Sequence, residues 1–175
     1  MKQVNSYSIK MGVTTPKNEV IEPPLQAESA ITQGNVAEFI PHSADMVLLD
    51  RIIDYDAYGL TAGLMVRDDG LLGDAYHVPA WVGIEYMAQT IAAYSGIMAI
   101  QTRQAIRLGF LLGTRRYCSN VAAFRVGSVL TIKVNKQYQD DNLGVFACQI
   151  QGEGVEVRAN LNVYLPTSTK LSNSE

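Results

Sequence analysis

The chain has 175 residues, 47% hydrophobic and 18% charged, with 14 Lys and Arg against 17 Asp and Glu and a formal net charge of -3. Such a length fits one domain with a substantial core, and the slight acidity argues against a general nucleic-acid binder. Two cysteines, Cys118 and Cys148, make neither a disulfide framework nor a metal motif, and no Gly-rich phosphate loop is present. No metal or other cofactor is expected.

Residues 1–35 carry scattered Ser, Thr, Asn, Gln and Pro without sustained periodicity, so an extended or poorly ordered arm is expected there. Residues 1–20 lack the continuous apolar core of a secretory signal, which reads as a cytoplasmic protein with free thiols. Order is expected from Val36, giving a folded domain over 36–168 and a flexible tail over 169–175. Met46 to Tyr55 reads as a first strand, and Leu60 to Val66, after a Tyr58-Gly59 turn, as its hairpin partner. Residues 67–78 read as a loop of about twelve residues, long enough to suggest function.

Pro79 then opens a helix that runs to about Ile100. It is apolar nearly all round and rich in small residues (Gly83, Ala88, Ala92, Ala93, Ser95, Gly96, Ala99), so it reads as a buried helix closely approached by other backbone. Glu85 and Gln89 interrupt its apolar run, which argues against a membrane span. Ile106 to Cys118 supplies a loop and a strand start. From Val129 the period changes to two. Leu130, Ile132 and Val134 share a face, then Phe146, Cys148 and Ile150, then Val155, Val157, Ala159, Leu161, Val163 and Leu165. Short turns at Asp140-Asp141-Asn142 and Gly152-Glu153-Gly154 make these an antiparallel meander with one buried face. The fold class is α+β: a strand pair, a central helix, then a meander that wraps it.

Glu85 is the residue that most needs an explanation. An isolated ion taken out of water costs several kcal/mol or more, so this carboxylate must find a partner or take up a proton. Read from its residues alone, it either does chemistry or ties polar atoms together, with Gln89 one turn on as the nearest candidate partner.

That element order is the hotdog pattern, and four segments carry a more specific resemblance. Ile40-Pro-His-Ser-Ala-Asp-Met-Val-Leu-Leu-Asp-Arg51 resembles the opening of the bacterial 3-hydroxyacyl-acyl carrier protein dehydratases of the FabZ/FabA type. Pro79, Glu85 and Met87-Ala88-Gln89 resemble their helix motif. Gly109-Phe-Leu-Leu-Gly-Thr-Arg-Arg-Tyr117 and Phe124-Arg-Val-Gly-Ser-Val-Leu130 resemble the strands that follow. The likeness runs over about residues 38–165, and the Pro-Ala-Trp-x-x-Ile-Glu-Tyr-Met-Ala-Gln wording is most similar to the dehydratase-like subunit of aryl polyene biosynthesis clusters (ApeP).

The resemblance implies dehydration of a 3-hydroxyacyl-acyl carrier protein thioester to the 2-enoyl thioester, in fatty-acid-like or aryl polyene synthesis. It implies Glu85 as general acid toward the 3-hydroxyl, since an apolar pocket disfavours an ionised carboxyl and keeps a proton available. It also implies a loop histidine as base, but that position is Leu71 here. His42 and His77 are the only two histidines, and each is a candidate base, with a structural or solvent-facing role as the alternative. Ala80 stands where the family's carbonyl-polarising N–H comes from. Gln89 either orients Glu85 or satisfies sheet carbonyls; Trp81, Phe110 and Leu112 either line an acyl tunnel or pack the core. Arg103, Arg107, Arg115 and Arg116 either receive an acidic carrier protein or form a solvated face. The expected partners are an acyl carrier protein and a second hotdog subunit, in a homodimer or a heterodimer. Two other readings stay open: a catalytically silent acyl-binding subunit that pairs with an active dehydratase, and a hotdog thioesterase.

Overall fold

A helix apolar on most of its surface needs something to wrap it, and in the computed structural model a curved sheet does so. The structure describes residues 35–41, 46–68, 72–140 and 142–165; the expected arm, apart from Asn35, and the expected C-terminal tail lie outside these. The helix α1 spans Gly83–Gln101. Among the described residues eight strands accompany it: β1 Arg51–Tyr55, β2 Gly59–Met65, β3 His77–Pro79, β4 Phe110–Ser119, β5 Ala123–Arg125, β6 Val129–Gln139, β7 Leu143–Gly152 and β8 Val155–Tyr164. Six form one antiparallel sheet in the order β1-β2-β6-β7-β8-β4, and β3 pairs with β5 in a small second sheet.

The meander follows the period-two pattern closely. Leu130, Ile132, Val134, Phe146, Ile150, Val157 and Leu161 are all essentially inaccessible and face the helix. Register fixes their neighbours, with Ile132 opposite Ile150 and Phe146 opposite Leu161, so alternate residues of each strand reach one shared core. The small residues of α1 serve close approach. A Cβ at Gly96 would lie 2.2 Å from the Phe39 carbonyl oxygen, so only glycine lets the segment over Val36–Ile40 cross there.

Three departures from the sequence reading have physical reasons. The first strand is shorter than Met46–Tyr55, because Met46 and Leu48 bond to the Gln89 side chain instead of to β2. Part of the expected loop over 67–78 is β3, too short at three residues to show any period. Pro79 does not open the α-helix directly: it caps a 3-10 turn over Ala80–Val82 that leads into α1.

The helix ends in a Schellman motif, with Arg103 N–H donating to the Ile100 carbonyl (3.0 Å) and Gln104 N–H to that of Ala99 (2.7 Å). The motif needs a left-handed residue, and here it is Arg103 at φ 56° instead of glycine. Arg103→Gly is therefore expected to stabilise the fold by about 0.5–1 kcal/mol, read as a rise in melting temperature of about 1–4 °C.

The two thiols are unlike. Cys148 is buried, and desolvation pushes its pKa up to about 12, while Cys118 is exposed on β4. Because the thiolate is the reactive species, native protein is expected to lose one thiol rapidly to a maleimide. The second should react only on unfolding, and mass spectrometry should place the first adduct on Cys118.

Candidate active site

Glu85 lies in the first turn of α1, on its one partly open face. Ile84, Ala88, Ala92, Ser95 and Ala99 continue that face at helical spacing, and all are half-buried. The face borders a cavity of about 130 Å³ lined by Pro41, Glu85, Ala88, Ile91, Ala92, Phe110, Leu111 and Val163, with Ser95, Arg107, Gly109 and Leu165 completing it. Ser95, Arg107 and Leu165 also line an adjoining depression of about 270 Å³ with Thr102, Gln104 and Lys136. Two neighbouring depressions that share Ser95, Arg107 and Leu165 thus form a groove beside α1, one reaching Glu85 and the other Thr102. It is mostly apolar beside Glu85 and more mixed at its far end, where Thr102, Gln104, Lys136 and Gln139 join Met98, Ala99 and Ala105.

Gln89 holds Glu85 in place. Its side chain is fully buried, and its Nε2 donates to Glu85 Oε1 (3.0 Å) and to the Met46 carbonyl (2.8 Å). Its Oε1 accepts the Leu48 N–H at 2.8 Å. A flipped amide would set N–H against N–H at Leu48 and oxygen against oxygen at Met46, so the backbone dictates which end faces Glu85. Gln89 can only donate to the carboxyl. The one amide thus bonds both to Glu85 and to the backbone of Met46 and Leu48, a segment that precedes β1 and is not itself a strand.

The other candidates are placed as follows. Phe110 lines the cavity although half of it is exposed, whereas Trp81 and Leu112 are 62% and 61% exposed and stand outside the lining. Ala80 is buried, but its N–H donates to the Ala122 carbonyl at 2.9 Å, so it is committed to the backbone beside the small sheet and not open to a ligand. His77 is largely exposed on β3, its Nδ1 3.9 Å from Asp74 Oδ1, and is not part of the cavity lining. Asp74 accepts the Tyr76 and His77 N–H groups, and these bonds hold its carboxyl below the usual range. His42 and Leu71 lie outside the described residues; His42 directly follows Pro41, which lines the cavity. The four arginines fall on different elements. Arg107 lines the groove, Arg103 ends the helix, and Arg115 and Arg116 are on β4.

The sequence reading missed Tyr117. Its hydroxyl donates to the Ala80 carbonyl in the turn before α1, and burial pushes its pKa up to about 12. The available signal was an aromatic residue with a polar tip in an edge strand, which read as ordinary strand composition. Among the described residues no group of three or more His, Cys, Asp or Glu could hold a metal ion. No helix among them is long and apolar enough to cross a membrane.

Among the described residues β4 is one of the two edge strands of the large sheet, β1 being the other. β4 exposes Phe110, Leu111 and Leu112 in a row at its start, a short apolar edge segment of the kind that proteins ordinarily cover by pairing.

Among the described residues, a long helix wrapped by an antiparallel sheet, with a carboxylate in its first turn bordering a cavity, defines a hotdog-fold protein. Residues 34–173 match the model of the ApeP-like family, described as ApeP dehydratase, and the chain belongs to that family. Among solved structures, the dehydratase heterocomplex ApeI:P from Xenorhabdus doucetiae is similar at 37% identity and a TM-score of 0.73, covering 79% of this chain and 95% of that one. Two more distant neighbours share the fold. A mutant of the thioesterase PA1618 from Pseudomonas aeruginosa has 16% identity and a TM-score of 0.51, covering 82% of this chain and 94% of that one. A hypothetical thioesterase with coenzyme A from Streptococcus pneumoniae has 14% identity and a TM-score of 0.50, covering 66% and 84%. No curated protein sequence matches the chain.

Proposed function

We propose that the protein is a dehydratase subunit acting on 3-hydroxyacyl thioesters of an acyl carrier protein, in fatty-acid-like or aryl polyene synthesis. The observation that carries the reading is Glu85, held by Gln89 at the mouth of an apolar groove. A base removes a proton from C2 of the substrate, and the electron pair forms the C2–C3 double bond. The C3–oxygen bond breaks, and protonated Glu85 gives its proton to the leaving hydroxyl, which departs as water. The base is a histidine, either His42, next in chain to the cavity-lining Pro41, or His77 brought over from its solvent-facing position. The acyl chain lies along the open face of α1, with Phe110 and Leu111 against it.

The apolar edge at β4 supports pairing with another hotdog subunit, and the likeness to a heterocomplex supports a partner of different sequence. A second reading, a silent acyl-binding subunit beside an active one, draws support from Leu71 at the family's histidine position and from the exposure of His77. Enoyl absorbance from a 3-hydroxyacyl carrier thioester separates these readings. Product formed in a Glu85-dependent manner supports a catalytic subunit, whether the protein works alone or with its partner. Product formed with the partner but untouched by Glu85→Gln supports the silent one. Free thiol release instead of enoyl product would indicate a thioesterase.

A further inference from the structure

Tyr117 reaches the site through a strand irregularity. Arg115 stands opposite Asn160, and Cys118 stands opposite Arg158. Both β8 residues are exposed and point away from the helix, as their neighbours Val157, Ala159 and Leu161 point toward it. A regular strand holds one residue between two such outward positions, whereas β4 holds two, Arg116 and Tyr117. Arg116 absorbs the extra residue at φ 57°, and Tyr117 is turned inward. Bulges of this kind re-aim side chains next to functional sites.

The inward hydroxyl has one destination, the carbonyl of Ala80. Room for it depends on Gly83, where a Cβ would lie 2.7 Å from the Tyr117 oxygen. The Ala80 carbonyl belongs to the same planar peptide unit as the Trp81 N–H, and in a trans peptide the two point in opposite directions. Fixing one end fixes the other. A hydrogen bond accepted by the carbonyl also polarises the unit and strengthens its N–H as a donor. At the start of a helix the N–H of Trp81 has no earlier helical carbonyl to bond, and it shares the favourable end of the helix dipole. The neighbouring N–H, of Ala80, is already taken by Ala122. Trp81 is also four residues before Glu85, in the turn that leads directly into α1.

We infer that Tyr117 is a positioning residue, which aims and polarises the Trp81 N–H toward the thioester carbonyl of a substrate whose 3-hydroxyl lies at Glu85. This rests on the dehydratase reading above. Burial raises the phenol's pKa, so the hydroxyl stays a neutral donor throughout the physiological range. The residue acts through the peptide and does not touch substrate.

Tyr117→Phe keeps the ring and removes only the hydroxyl. The test uses the protein, alone and with a hotdog partner, and an acyl-pantetheine thioester labelled with carbon-13 at its carbonyl. Infrared difference spectra of the bound label should show a lowered carbonyl stretch in the wild type, and a smaller lowering in Tyr117→Phe. Turnover should fall about five- to ten-fold, as for loss of one neutral hydrogen bond, with KM little changed. A carbonyl stretch and kcat that match the wild type overturn the inference. So does a lowered melting temperature with an unchanged stretch, which marks a purely structural role. Where wild-type turnover depends on Glu85 but ignores Tyr117→Phe, only this inference fails. Where neither the protein nor its pairing eliminates water, the dehydratase reading fails and this inference falls with it.

Discussion

Glu85→Gln is expected to lower enoyl formation by about 10²–10⁴ while leaving the fold intact, the range usual for loss of a general acid. The substitution is nearly isosteric, and an amide oxygen can accept the Gln89 N–H that Glu85 Oε1 accepts now. The half-buried position keeps its packing against the cavity, so stability should stay within about 0.5 kcal/mol of the wild type. The variant cannot hand a proton to a departing hydroxyl, and turnover should fall where binding does not. Acyl-thioester affinity is accordingly expected to survive, since the groove beside Ala88, Ala92 and Phe110 is untouched. Equal loss of binding and turnover would instead assign Glu85 to holding substrate. Full activity would remove it from the chemistry.

The parts of this fold written as periodic patterns are legible in the chain. Leu130, Ile132 and Val134 alternate with polar neighbours, and the structure buries all three completely. The apolar run around α1 likewise reads as a wrapped helix, although a half-buried stripe through Ala88, Ala92 and Ser95 borders a cavity. Glu85 stands out because a carboxylate in such a run needs a reason. What is not legible depends on single contacts between distant segments. Nothing periodic in Met46-Val-Leu-Leu-Asp50 tells that its first carbonyl and third N–H serve a glutamine some forty residues away. The bulge that turns Tyr117 inward rests on one left-handed arginine, a conformation that residue type rarely signals. Ala80 matches the family's carbonyl-binding position by spacing alone. Its N–H is nevertheless occupied, because the backbone beside β5 passes close enough to take it.

Gln89→Leu is expected to produce the largest loss of stability of any single change near the site, about 3 kcal/mol, and to reduce turnover as well. Leucine fills much of the same volume, so packing loss is minor. The cost comes from what the amide leaves behind. The buried Leu48 N–H loses its partner away from water and the more exposed Met46 carbonyl loses one as well, and an orphaned buried group costs about 1–3 kcal/mol. Melting temperature should fall by roughly 6–12 °C on that basis. Glu85 also loses its donor and with it a defined rotamer, so kcat should fall in the folded fraction measured well below the melting point. Gln89→Glu isolates the donor from the shape. One oxygen still accepts the Leu48 N–H, but the other faces the Met46 carbonyl and Glu85, and only a protonated carboxyl can donate there. Its folded-state pKa is thus raised above the unfolded value, so the folded form binds more protons between the two. Stability of Gln89→Glu should therefore be greatest in acid and fall as pH rises through the raised folded pKa, a trend absent from Gln89→Leu. Urea unfolding of both variants across that pH range checks the sign. A flat profile for Gln89→Glu would mean that water or a backbone shift satisfies the segment over Met46–Leu48, and that the donor polarity of Gln89 is not what fixes Glu85.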